Sequence, residues 1–330
     1  MKTFANKNAQ SVEQAVSLMK QAHMDGQTAS IVGGGSDLLG MVKEFLVKPD
    51  ILVNLKTIKG HDQVAATSSG SVDIGGLITL DTLRSNSLIR GKYAVLAEAA
   101  ETVATPQIRN VGTLAGNVCQ RPWCWYFRNG FPCLKNGGDQ CFSITGDNRF
   151  HAIFGGGPSF IVHPSDTAVA LVALDAKFRI VGPAGERVVP AAEFFILPQQ
   201  DAKKENVLAE NEVLAGVPLA PTHPGRRSTY NKVLDREAWT HAVVSAAVVL
   251  DMDKDICQRA RIVLGGVAPI PWRLQKVEAL LTGQRITPEL AAKAGEAAIV
   301  GAQKLSKNAY KLPMTKAVVR RTVLDLATRT

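Results

Sequence analysis

Between Cys119 and Cys141 the chain reads CQRPWCWYFRNGFPCLKNGGDQC, and four of its five cysteines stand in that stretch. Proline and glycine punctuate it throughout, so neither a helix nor a strand can run its length. A chain carrying such a stretch must fold as regular elements on either side of one long irregular loop, rich in thiols, Arg and aromatics.

The spacing is Cys119-x4-Cys124-x8-Cys133-x7-Cys141. Disulfides belong to oxidising compartments, and the start of the chain, MKTFANKNAQ, has neither the apolar core nor the cleavage pattern of an export signal. Structural zinc favours two tight C-x2-C pairs, which are missing here. Iron–sulfur clusters accept widely varying spacings, and Arg121, Arg128 and Lys135 would offset the negative charge of clustered thiolates. On spacing alone, iron and zinc both stay open. Cys257, alone in DICQRA, reads as a small unreactive residue.

Around this loop the chain alternates helix and strand patterns. SVEQAVSLMKQAHMDG (11–26) has Ser11 and Gln14 as a capping box, an apolar stripe at Val12, Ala15, Val16 and Met19, and Gly26 as a stop. Strands are expected at ASIV, ILVNL (51–55) and SVDIGGLITL (71–80), then helices from Asp81 to about Arg90 and over 92–103. After the cysteine loop, SFIV, KFRIVG and ERVVP read as strands, and the polar region 201–222 as a boundary. The last third opens with strands in STYNKVLDREAWTHAVVSAAVVLDM and QRARIVLGGVAP. It closes with helices in PWRLQKVEALLTG, TPELAAKAGEAAIVGAQK and MTKAVVRRTVLDLAT, an α+β order.

At 330 residues and 46% hydrophobic, the chain can bury a core spread over two or three domains. Its net charge of +9 comes from scattered basic residues with no basic run interleaved with aromatics, so a basic surface is expected rather than a nucleic-acid site. AVVSAAVVL is too short for a membrane span. A cytoplasmic location is expected, and export inside a larger complex would also be compatible.

Two glycine-rich stretches carry chemistry. IVGGGSDLL sets Gly33, Gly34 and Gly35 directly after a strand, followed by Ser36 and Asp37. Glycines let backbone N–H groups approach phosphate oxygens closely. The stretch is neither a Walker A loop nor a G-x-G-x-x-G turn. ATPQIRNVGTLAGNV (104–118) repeats the ingredients with Gly112, Thr113, Gly116 and Asn117, and with Arg109 and Asn110 nearby. Either alone reads equally well as a turn; together they favour a dinucleotide site. HPSD places Ser165 and Asp166 at the head of an apolar helix, where both can cap. YNKVLDREAW gathers Lys232, Asp235, Arg236 and Trp239 before a buried strand, by default a solvated turn. No triad order, H-E-x-x-H or carboxylate pair demands a hydrolase.

These residues together, VGGGSDLL, QIRNVGTLAGN, HPSD and YNKVLDRE in that order, resemble nearly end to end the FAD-binding medium subunit of the xanthine dehydrogenase and CO dehydrogenase family of molybdenum hydroxylases. The resemblance implies an α+β protein whose N-terminal FAD-binding part has two α/β subdomains of the PCMH type (1–60 and 61–222), followed by a C-terminal antiparallel sheet with helices (223–330). It implies that Val32, Gly33, Gly34, Gly35, Ser36, Asp37 and Leu38, with Thr113 to Asn117, grip the FAD diphosphate. Thr105, Ile108 and Arg109 would line its path, Asp166 would lie near the ribityl or flavin end, and Lys232 near the isoalloxazine ring. The loop, CQRPWCWYFRNGFPC above all, is similar to the insertion of the aldehyde oxidoreductase and 4-hydroxybenzoyl-CoA reductase branches, which implies a [4Fe-4S] cluster on Cys124, Cys133 and Cys141. Related loops can carry a cysteine where this chain has Ser159, which makes Cys119 the candidate fourth ligand.

The implied function is electron transfer. A large molybdopterin-binding subunit would act on an aldehyde, N-heterocycle or aromatic CoA thioester, and a small subunit with two [2Fe-2S] clusters would pass electrons to this FAD. A ferredoxin-like or NAD partner would exchange them with the outside. The rivals are a stand-alone FAD-dependent oxidoreductase and a zinc-loop interaction protein.

Overall fold

The computed structural model describes residues 1–237 and 240–329. Trp239, picked out in YNKVLDREAW, therefore lies outside the described residues.

The described residues build three sheets in sequence order. The first is parallel, with Ile51–Asn54 between Ala5–Asn8 and Ala29–Val32. Helix Val12–Met24 packs its apolar stripe onto it. Ser11 caps that helix by accepting from Gln14 N, and the Gln14 side chain accepts from Gln10 N, a reciprocal box one residue off its usual register.

The second sheet is antiparallel, ordered Val64–Ala66, Val72–Gly75, Val213–Leu219, Lys177–Gly182, Gly185–Pro190. Its middle strand, Val213–Leu219, falls inside the region expected to be a boundary. Val213, Leu214, Ala215, Val217 and Leu219 are all buried there, so the polar composition of 201–212 ends before the strand begins.

Two other expectations change. The helix expected from Asp81 to Arg90 is two helices, Leu80–Ser85 and Ser87–Lys92. Asn86 ends the first with extended backbone and caps the second by accepting from Ile89 N. The SVDIGGLITL strand stops at Gly75, where the chain turns, with Ile78 N donating back to Gly75 O at 3.2 Å; only glycine fits at 76, since a Cβ there would sit 2.6 Å from the Leu214 carbonyl oxygen. SFIV is buried in part but pairs into no strand.

The third sheet, with Ile256–Gly265 and Val244–Asp253 at its centre and Arg226–Val233 at an edge, carries helices Gln275–Leu281, Pro288–Ala297 and Lys311–Thr328 on one face. Cys257 is fully buried in that core, and burial pushes its thiol up to about 11, as expected of an inert residue. Helix Asp166–Ala173 is buried along its whole length between the second and third sheets. No helix among the described residues is long and apolar enough to cross a membrane.

Candidate functional site

A cleft of about 450 Å³ opens where the glycine turn, the second glycine loop and the cysteine loop meet. All of Val32 to Leu38 lines it. The turn is locked from behind: a Cβ on Gly34 would strike the Val111 carbonyl, and one on Gly33 would lie 2.8 Å from Thr113 Oγ1. Gly35 has φ of +73°, open to glycine at no cost. Among the described residues, the N–H groups of Gly34, Gly35 and Ser36 have no hydrogen-bond partner in the protein. Unpaired backbone donors on a side-chain-free turn fit the oxygens of a diphosphate.

Gly112, Thr113, Gly116 and Asn117 face the same cleft. Thr113 caps helix Leu114–Val118 by accepting from Gly116 N at 3.1 Å. Asn117 Oδ1 accepts from both Ser165 Oγ and Thr167 Oγ1 at 2.6 Å, so the second loop is tied to the HPSD helix. Ser165 caps that helix through Ala168 N, as the sequence suggested.

Asp166 does something different. Its Oδ1 takes the Tyr230 hydroxyl at 2.6 Å and its Oδ2 the Lys232 ammonium at 2.7 Å, in a pair almost wholly buried. Lys232 Nζ also donates to Thr102 O at 3.0 Å. Burial, with the Asp166 charge beside it, raises the Tyr230 phenol well above its usual range. Asp166 reaches the cleft; Lys232 is not among its lining residues and meets it only through Asp166.

Ile108 also lines the cleft, whereas Thr105 and Arg109 do not. Thr105 caps helix Pro106–Val111, and Arg109 donates to Val103 O at 2.7 Å. Between them and the cleft lies Ala104, a lining residue in left-handed backbone with φ of +44°.

The cysteine loop is bolted to the glycine turn. Asp37 accepts from Arg121 N at 2.9 Å and from Arg128 at 2.6 Å. Arg128 also lies 4.3 Å over the Trp123 ring, and Trp123 packs on His241 with centroids 5.4 Å apart and planes tilted by 34°, both in the cleft wall. Arg121 and the buried Lys135 share Glu205, anchoring the loop's far side. Trp123 and His241 were not legible as site residues, since the loop holds several aromatics and His241 follows a polar turn.

The four thiols do not gather as one set. Cys119 caps the end of helix Leu114–Val118, lines the cleft while packing on the core behind it, and is pushed up to about 12 by burial alone. Cys124 and Cys133 sit in a separate cluster with Met41, Phe127 and Phe142. Burial pushes the Cys124 thiol up to about 11, and Cys141 and Cys133 are near enough to raise it further. The Cys124 sulfur lies 3.3 Å from His151 Nε2. Among the described residues, no three His, Cys, Asp or Glu side chains already stand close enough to hold a metal ion. Cys124 thus has Cys133 and Cys141 as neighbours, whereas Cys119 packs on a different core.

Comparison with known proteins agrees with this geometry. The family described as FAD binding domain in molybdopterin dehydrogenase matches residues 2–219, and the CO dehydrogenase flavoprotein C-terminal domain matches 229–326. The aldehyde oxidoreductase FAD-binding subunit PaoB of Escherichia coli is 35% identical over 77% of this chain and 79% of its own. The carbon monoxide dehydrogenase medium chain of Hydrogenophaga pseudoflava is 29% identical over 94% of this chain and 92% of its own. The solved structure of carbon monoxide dehydrogenase from that organism superposes with a TM-score of 0.77 at 27% identity, covering 98% of this chain and 96% of its counterpart. The chain therefore belongs to the FAD-binding medium subunits of the xanthine dehydrogenase, CO dehydrogenase and aldehyde oxidoreductase family, the flavoprotein components of molybdenum hydroxylase complexes.

Proposed function

We propose that the cleft holds FAD with its diphosphate on the two glycine loops and its flavin end toward Asp166, and that the chain passes electrons within a larger oxidoreductase. A large molybdopterin-binding subunit would turn over the substrate, and a small subunit with two [2Fe-2S] clusters would connect it to this chain. The kinship with an aldehyde oxidoreductase subunit favours an aldehyde over an N-heterocycle or aromatic CoA thioester. A ferredoxin-like or NAD partner would be the external exchange point, and the site of action the cytoplasm. Residues 1–60 and 61–222 would form the flavin half and 223–330 the unit that backs it.

The observation that carries the reading is the row of unpartnered N–H groups at Gly34, Gly35 and Ser36, opposite Thr113 and Asn117. Bound FAD would supply a centre that takes electrons in pairs and releases them singly. The protein's part is to hold it. The glycine turn donates to the phosphates, while Leu55, Leu77 and Ile108 exclude water from the cleft. Lys232 neutralises Asp166 from behind, so the carboxylate meets the cofactor with its charge already balanced. Lys232 acts as a positioning residue, through Asp166.

For the loop we propose a [4Fe-4S] cluster assembled around Cys124, Cys133 and Cys141, extending the electron route from the flavin. Purifying the chain anaerobically and measuring its flavin, iron and zinc tests the whole reading. About four irons and about one FAD per chain, with no aldehyde oxidation by the isolated chain, are expected. Zinc without flavin would overturn it in favour of an interaction module.

A further inference from the structure

We propose that Trp123, carried by the cysteine loop, is the side chain against which the isoalloxazine ring of the bound flavin packs. The inference rests on the FAD reading above and deepens it by giving the flavin end of the cleft its wall.

The lining of the cleft leaves few choices. A fused tricyclic ring is held best by a flat apolar surface that excludes water from it. Among the described residues of the cleft wall, the aromatic rings are the indole of Trp123 and the imidazole of His241; the rest are aliphatic, small or polar. Trp123 is 46% exposed although it stands in that concave wall. Its uncovered indole surface is open to a ligand in the cleft.

Trp123 also stands at the right end. It packs on His241, and the His241 ring is hydrogen-bonded to the backbone of Pro164, two residues before Asp166. Burial lowers the pKa of that imidazole, with the Asp166 charge opposing and those of Lys232 and Arg128 assisting, so a neutral ring backs the indole. Trp123, His241, Pro164 and Asp166 thus form one continuous stretch of wall.

The indole is set before any ligand arrives. The Arg128 guanidinium over it donates to Pro122 O at 2.8 Å, Arg121 O at 2.9 Å and Asp37 Oδ1 at 2.6 Å. A side chain already ordered loses little freedom on binding. Because Asp37 belongs to the glycine turn, one arginine ties the turn expected to hold the diphosphate to the ring expected to meet the flavin. Trp123 is then the cysteine loop's direct contribution to the cofactor, next in sequence to Cys124.

The test titrates the full chain, stripped of flavin, with FAD and separately with ADP, which carries the adenine and diphosphate ends but no flavin ring. Calorimetry should show Trp123→Ala weakening FAD about tenfold while ADP stays within about twofold. Trp123→Phe keeps a flat apolar ring and should recover most of the FAD affinity. It should also brighten the bound flavin several-fold, because an indole in contact quenches flavin fluorescence and a phenyl ring does not. Equal weakening of FAD and ADP by Trp123→Ala, unchanged FAD affinity, or a bound flavin equally bright in wild type and Trp123→Phe would overturn the assignment. A wild-type chain that binds neither FAD nor ADP would instead overturn the FAD reading on which the assignment stands.

Discussion

At the flavin cleft the supporting side chains are closed into a finished frame: Asn117 is held by Ser165 and Thr167, and Asp166 by Tyr230 and Lys232. In the cysteine loop, a short step away through Asp37 and Arg128, Cys124 and Cys133 share an apolar cluster, and His151 Nδ1 has no partner among the described residues. The protein completes the first region with its own groups and leaves only backbone donors open for a ligand. The second it leaves unfinished in side chains. The flavin site is thus preformed, whereas the loop's thiols stand apart, with no metal-holding group among the described residues.

The largest effect is expected where the finished frame is cut. Asp166→Asn would strand the buried Lys232 ammonium, a loss of ~3–5 kcal/mol in urea unfolding. A loss below about 1 kcal/mol would mean that the frame is not what holds the cleft.

Acid attacks the same side. Burial pushes His163 down to about 4 from an ordinary 6.5. Between those values the unfolded chain binds a proton that the folded chain refuses, so stability is present above pH 6.5 and falls as pH drops toward 4. The slope from this residue is about 1.4 kcal/mol per pH unit. His163→Leu should remove that part of the slope in unfolding curves collected over this range.

How much of this was legible beforehand differs by region. The glycine turns, the Ser165 cap and the family pattern could be read because they are local: turn residues and caps act within four positions. The pairing of Asp166 with Lys232 joins residues far apart in sequence, and HPSD alone offered only a helix cap. Where Cys119 packs was hidden for the opposite reason. It is five residues from Cys124, but as the C-cap of helix Leu114–Val118 it packs on a different core. Asn86 hid a helix break, since an Asn is a weak signal until its side chain is seen capping Ile89. Val213–Leu219 was concealed by the polar stretch in front of it.

At the cleft itself, Gly34→Ala should force the turn off Val111 at a cost of ~1–3 kcal/mol, and FAD affinity measured by flavin fluorescence should fall about tenfold or more. Unchanged affinity would place the diphosphate elsewhere. The smallest effect belongs to the bolt between the regions. Arg128→Lys loses a fixed fork and the stacking on Trp123. The expected weakening of FAD binding is about 1 kcal/mol, with iron content unchanged. A large loss of both would show that the two regions are one site.

The most direct measurement is the flavin and iron content of three proteins purified anaerobically side by side: wild type, Gly34→Ala and Cys133→Ser. Gly34→Ala is expected to lose flavin and keep iron, while Cys133→Ser loses iron and keeps flavin. Joint loss in both variants, or iron absent from the wild type, would contradict it.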